Sequence, residues 1–211
     1  MTLWYLARAT GFTSLIAFTL SVVLGAGGSD SGLPRRTSPE LVARVLDQRI
    51  LRQLAHRSAA LVGLGTLGVH AILILLDSYA SVSLTGALIP FAAGYAPFAV
   101  GLGTLAVYVF VMVALSGLGR GSMASSTRGA RRWRSLHALA YLGWALALTH
   151  GILAGTDTGT LWSTAVYIIC GVTVPLALWR RTGRAVEHTD DPLTRSRHRV
   201  HTGTSLTGAP R

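Results

Sequence analysis

LRQLAHRSAALVGLGTLGVH, residues Leu51–His70, and RRWRSLHALAYLGWALALTHG, residues Arg131–Gly151, share a pattern that decides the fold. Each opens among arginines and passes into an apolar run. Each carries one histidine near the start of that run and another toward its far end. The first run extends from about Leu54 to Leu76, the second from about Leu136 to Ala154. A helix rises about 1.5 Å per residue, so roughly 20 apolar residues cross the hydrocarbon of a bilayer. Both stretches read as membrane spans with ionisable side chains inside them, and such side chains are costly in hydrocarbon and mark function.

Working outward, three more stretches have the same length and apolarity: about Leu3 to Gly25, Phe98 to Leu118, and Leu161 to Trp179. The expected fold is an all-α, polytopic membrane helix bundle of five spans. Composition agrees. Half of the 211 residues are hydrophobic and 13% are charged, about half the charged share of a soluble domain. The single cysteine, Cys170, lies in an apolar stretch and excludes an internal disulfide or an iron–sulfur cluster ligated by this chain alone.

The net charge of +11 does not point to nucleic acid. All nineteen basic residues are arginine, which fits the coding bias of a GC-rich, bacterial genome. They fall in alternate connections. Six lie in residues 26–57, five in 119–134 and seven after Trp179, whereas 77–97 and 155–160 hold none. The positive-inside rule then places the N-terminus outside and the C-terminus inside a cell (plasma) membrane, leaving only Arg8 on the outer side. Leu24–Gly27 offers small residues for a signal-peptide cut, but cleavage would strand the arginines of 26–57 outside, so the first span is expected to be retained. Aromatic residues mark the interfaces: Trp4, Tyr5, Tyr95, Phe98 and Trp162 outside, Trp133 and Trp179 inside.

Residues 1–179 form the expected membrane domain. Within it, Pro39–Gln53 places Leu41, Val42, Val45, Leu46, Ile50 and Leu51 on one helical face with arginines opposite. This reads as a short helix on the inner membrane surface. Residues 180–211 form a polar, basic tail without apolar periodicity, expected to be cytoplasmic and disordered. His188, His198 and His201 belong to that tail and read as solvated residues.

The other four histidines form a constellation. His56 and His70 are fourteen apart on the second span, and His137 and His150 thirteen apart on the fourth. One span intervenes, so the two helices run in the same direction. His56 and His137 share the inner level and His70 and His150 the outer, the levels being separated by roughly 20 Å. Two imidazoles at each of two distant levels do not make a zinc or copper site, which needs three or four ligands at one point. They suit two haem irons, each held axially by two histidines: His56 and His137 the inner, His70 and His150 the outer. An iron with two protein ligands has no open position and relays electrons. Fourteen residues return His70 to within roughly 40° of His56, but thirteen leave His150 roughly 140° out of phase with His137. A bend or overwinding is expected between them, with Gly143 a candidate for its place.

Haem propionates need cationic partners. Arg57 beside His56, Arg134 one turn before His137, and Arg8 near the outer end of the first span are the candidates. Positive-inside anchoring explains Arg57 and Arg134 equally well, whereas a lone outer arginine needs a partner. Tyr141 and Trp144 lie between the levels, placed either against a porphyrin or against other helices. Asp77, Tyr79 and Asp157 sit on the outer rim, where they either shape an acceptor site or, the favoured reading, are ordinary polar loop residues.

The two quoted stretches, with the opening LWYLARATGFTSL at Leu3–Leu15, resemble the ferric reductase-like transmembrane domain. That superfamily includes ferric reductases, NADPH oxidases and the haem-binding subunit of the periplasmic methionine sulfoxide reductase system. The resemblance runs from about Leu3 to Trp179 and carries the family's ligand positions onto His56, His70, His137 and His150. It implies two b-type haems passing electrons from inside to outside. Two departures stand out: the family core usually has six spans against five here, and no flavin or nicotinamide domain fits in this chain. The resemblance is therefore to stand-alone subunits, which draw on a separate donor, a quinol or a flavoprotein reductase. Such subunits deliver electrons to ferric iron or a redox partner protein outside. Two other functions suit the same residues. A haem-poor membrane anchor or assembly subunit of a redox complex is one. A transporter with a histidine proton relay is the other, although Pro175 alone interrupts a span and no intramembrane carboxylate faces the histidines.

Overall fold

The computed structural model describes residues 2–27, 38–78, 81–123 and 125–189, with side chains to residue 183. Tyr79, the tail beyond 189 and the side chain of His188 lie outside the described residues. Among the described residues eight helices follow one another: α1 (Thr2–Ala26), α2 (Pro39–Leu76), α3 (Leu84–Leu88), α4 (Pro97–Leu118), α5 (Arg120–Met123), α6 (Thr127–Ala138), α7 (Ala140–Ala154) and α8 (Leu161–Thr189). Five helical segments are long and apolar enough to cross a membrane: α1, α2, α4, α6 with α7, and α8 as far as Gly183. The chain is a multi-pass, all-α membrane protein.

Three of these helices differ from the sequence reading. The expected surface helix over Pro39–Gln53 is the first part of α2, which continues without interruption into the second span. Ser38 caps it, accepting from the Leu41 N–H, and Pro39 occupies the first turn, where its missing N–H is no loss. Between Gln53 and Leu54 only the hydrophobic pattern changes; no glycine or proline stops the backbone ladder. Second, the tail expected to be disordered begins as helix, since α8 runs past Trp179 to Thr189. Third, the fourth span is α6 followed by α7, broken at Leu139.

The break at Leu139 overwinds the span in the sense that a thirteen-residue spacing requires, by part of the roughly 140° needed. The Leu139 N–H donates to the Leu136 carbonyl at 3.1 Å, three residues back, the bond of a tightened turn. Such a turn advances about 120° per residue instead of 100°. The advance brings His150 round toward the azimuth of His137. Gly143 is not the site of the correction; it is buried, and a Cβ there would meet Val109 at 3.0 Å and Phe110 at 3.3 Å.

Packing divides the bundle into pairs. α1 lies along α2, and α4 along α7, while α8 closes against α1 and α7. α2 and α7 do not pack extensively on each other. The centre is filled instead by Phe18 of α1 and Phe110 of α4, stacked with ring centres 3.8 Å apart and planes at 7°. Gly63 on α2 makes room for Phe18, whose ring would be 2.9 Å from a Cβ. Trp144 is buried in this core and donates from Nε1 to the Thr19 hydroxyl at 3.0 Å. It packs against helices, the second of its two expected placements. Tyr141 accepts from Arg181 at 3.4 Å, at the arginine-rich end of the bundle. α3 and the chain after it cover the opposite end, where the Tyr108 hydroxyl donates to the Leu88 carbonyl and Thr104 to the Ala87 carbonyl at 2.9 Å.

Candidate functional site: two histidine pairs between the helices

The four histidines come together in the pairs their spacing suggests. At the arginine-rich end His56 and His137 face each other with ring centres 6.1 Å apart and planes at 66°. Toward the other end His70 and His150 face each other at 6.3 Å and 76°. His56 and His70 stand on α2, His137 on α6 and His150 on α7, so each pair bridges the second span to the broken fourth one.

Each ring is held from behind by a helix other than its partner's. His70 Nδ1 donates to the Ala7 carbonyl of α1 at 2.7 Å, and His56 Nδ1 to the Ser21 carbonyl of α1 at 2.8 Å. His150 Nδ1 donates to the Ala99 carbonyl of α4 at 2.7 Å. The Ser116 hydroxyl lies 3.3 Å from His137 Nδ1 and itself donates to the Val113 carbonyl at 2.7 Å. A carbonyl only accepts, so these bonds place the proton on Nδ1 at His56, His70 and His150 and leave Nε2 with its lone pair. At His137 the hydroxyl's own proton is committed to Val113, which makes Nδ1 the donor there as well.

The Nε2 atoms have no hydrogen-bond partner among the described residues, yet no fully buried side-chain nitrogen or oxygen lacks one. The Nε2 atoms are therefore not fully buried, and each keeps a lone pair free for a ligand. A metal ion bound by two imidazole nitrogens at about 2 Å each, with about 1.1 Å from nitrogen to ring centre, separates the ring centres by about 6 Å. Both observed separations fit a bis-imidazole iron. The donor set fits too, because a ligating imidazole is normally oriented by a hydrogen bond from its other nitrogen. A multidentate site does not form: among the described residues no three His, Cys, Asp or Glu side chains gather where one metal ion would sit.

The arginines are placed differently from one another. Arg8 pairs with Asp157, joining α1 to the turn between α7 and α8, and its guanidinium lies 5.7 Å from the centre of the Tyr5 ring. Asp157, read from sequence as an ordinary loop residue, thus supplies the partner that a lone arginine at this end requires. Arg57 and Arg134 are exposed at the arginine-rich end. Arg120 comes closer to the histidines. It lies over the Trp133 ring at 5.1 Å, and Trp133 stacks on His137 at 5.1 Å with planes at 18°. Trp133 also donates to the Ser116 carbonyl at 3.0 Å. It is a wall of the site rather than only an interface marker. Arg120 and the carbonyls of Ala7, Ser21 and Ala99 went unrecognised in the sequence. Backbone acceptors have no side-chain signature, and Arg120 reads like any arginine in its loop.

Comparison with protein-family models, curated proteins and solved structures finds no match. The functional reading rests on the residues themselves.

Proposed function

We propose that this chain is a transmembrane electron-transfer protein with two b-type haems, one held by His56 and His137, the other by His70 and His150. The single observation that carries the reading is the repeated pairing: two imidazoles facing each other at about 6 Å, at two depths, each with Nδ1 engaged and Nε2 open. When bound, haem supplies one-electron Fe(III)/Fe(II) chemistry. The histidines fix the position and hand of each site, and the engaged Nδ1 protons keep the rings from turning. With two protein imidazoles available to each iron, a bound haem would have no position left for substrate at the metal, which suits relay rather than turnover. The same engagement of Nδ1 weighs against a histidine proton relay, because those rings are held in one tautomer.

The arginine-rich ends of α2 and α6, together with the tail, support placing the His56/His137 level on the cytoplasmic side of a bacterial plasma membrane. Arg120, Arg57 and Arg134 are the cations available there to haem propionates; Arg8 offers one at the other level while also holding Asp157. The likeness to stand-alone members of the ferric reductase-like superfamily supports a donor separate from this chain, a quinol or a flavoprotein reductase. It also supports an acceptor outside, ferric iron or a redox protein.

Sealed vesicles test the function. Native protein reconstituted with haem, with ferricyanide trapped inside and a membrane-impermeant reductant outside, is expected to reduce the trapped acceptor. His56→Ala and His150→Ala, which each remove one level, are expected to fall to the rate of protein-free vesicles. Equal rates for native and variant proteins would overturn the proposal.

A further inference from the structure

Behind every one of the four histidines stands a glycine of the neighbouring helix. Gly11 and Gly25 lie on α1, fourteen residues apart; Gly103 and Gly117 lie on α4, also fourteen apart. Fourteen residues are close to four turns, so each glycine pair faces one side of its helix at two depths, as His56 and His70 do on α2. A Cβ built on Gly103 would lie 2.8 Å from His150 Nδ1. One on Gly11 would lie 3.1 Å from His70 Nδ1, and one on Gly25 3.2 Å from His56 Cε1. On Gly117 the nearest atom is His137 Cε1 at 3.8 Å, an ordinary contact.

The glycines are in register with the acceptors. Ala7 precedes Gly11 by four residues, Ser21 precedes Gly25 by four, and Ala99 precedes Gly103 by four. At the fourth site Val113 precedes Gly117 by four, and its carbonyl accepts from the Ser116 hydroxyl, which lies 3.3 Å from His137 Nδ1. In a helix the carbonyl of residue i−4 accepts from the N–H of residue i, and the Cβ of residue i leans back over it. A side chain at i therefore shields the second lone pair of that carbonyl. Glycine leaves it open, and the backbone is approached closely.

We propose that Gly11, Gly25 and Gly103 are positioning residues: each exposes the carbonyl four residues before it, so that the imidazole of His70, His56 or His150 lies flat on the backbone and donates Nδ1–H there. Gly117 holds the same register at His137 with more room, and the Ser116 hydroxyl shares the acceptor's task. The seat fixes both the tautomer and the plane of each ring, and so the near-perpendicular planes of 66° and 76° within the pairs. This rests on the reading of the four histidines as haem ligands, but the seat itself is a property of the protein.

Alanine substitution tests it with a graded series. Gly103→Ala forces the His150 ring aside, and Gly11→Ala and Gly25→Ala do so less. Gly117→Ala adds an ordinary contact, and Gly68→Ala on α2 meets nothing within 4 Å. Two readouts apply to the full-length protein. Histidine-selective 15N NMR of the reduced, diamagnetic protein reads the Nδ1–H directly and does so whether or not haem is present. EPR of the oxidised protein reads the angle between the axial ring planes. Gly103→Ala is expected to lose the protected Nδ1–H signal of His150, assigned through His150→Gln, and to shift one of two low-spin signals. Gly117→Ala and Gly68→Ala are expected to match the native protein in both. If Gly103→Ala does not accumulate, Gly11→Ala and Gly25→Ala carry the test at His70 and His56. Native NMR and EPR signals in the variants with the closest contacts would overturn the seat. A colourless native protein with protected Nδ1–H signals that Gly103→Ala abolishes would instead sustain the seat and overturn the haem reading.

Discussion

His150 shows in one side chain how the site is made: Nδ1 is bound to the Ala99 carbonyl at 2.7 Å, and Nε2 faces His70 across a space of metal-binding width. The sequence reading reached the imidazoles because histidine inside an apolar span is conspicuous. It did not reach the carbonyls, since every residue has one and only three-dimensional register selects it. The glycines are legible by spacing alone, for Gly11 with Gly25 and Gly103 with Gly117 are fourteen apart, as His56 and His70 are. Arg8 belongs to the same scale. Its side chain is 19% exposed and that of Asp157 20%, so the pair is partly sheltered and charge-assisted. Arg8→Leu and Asp157→Asn are each expected to lower unfolding stability by about 1–2 kcal/mol, with the double variant losing little more than either alone. A double-mutant cycle by thermal or denaturant unfolding checks this. Additive losses would mean that each residue acts through a different partner, as a propionate-bound Arg8 would.

At the scale of elements, length and apolarity located all five spans, because a bilayer imposes both. Their ends were less legible. α2 begins at Pro39 rather than near Leu54 because helix hydrogen bonding is indifferent to a change from amphipathic to apolar pattern, and nothing in the sequence breaks it there. The thirteen-residue spacing of His137 and His150 announced that something must overwind, but not where; the turn lies at Leu139, directly after His137. One alanine inserted after Leu139 restores a spacing of fourteen and rotates α7 by about 100° relative to α6. It is expected to abolish haem binding at one level and keep it at the other, read as a haem-to-protein ratio near half the native value. An unchanged ratio would show that the tightened turn has no part in aligning the pairs. The central stack is a separate matter. Phe110→Ala empties a buried ring position beside Phe18 and is expected to cost about 3–5 kcal/mol, measured by unfolding in detergent.

For the whole molecule, the alternation of arginine-rich and arginine-free connections predicts which end faces the cytoplasm. A C-terminal fluorescent-protein fusion is expected to glow in bacteria and a C-terminal alkaline phosphatase fusion to be inactive; the reverse pattern would invert the assignment of inner and outer levels. The bundle itself suggests why its centre is split. α1 with α2 and α4 with α7 form two tight pairs, and the histidines bridge the space between them. Without something for Nε2 to bind, that space would set imidazole nitrogens in an apolar gap, an arrangement that is costly in hydrocarbon. A cofactor bound there would complete the packing as well as supply the chemistry.

The most direct measurement is the reduced-minus-oxidised absorption spectrum of the purified, haem-supplied protein with its haem-to-protein ratio, for the native chain and His70→Ala. Two low-spin b haems per native chain, falling to one in the variant, is the predicted result. A correctly inserted native protein without haem absorbance would contradict the account and return the four histidines to a packing role.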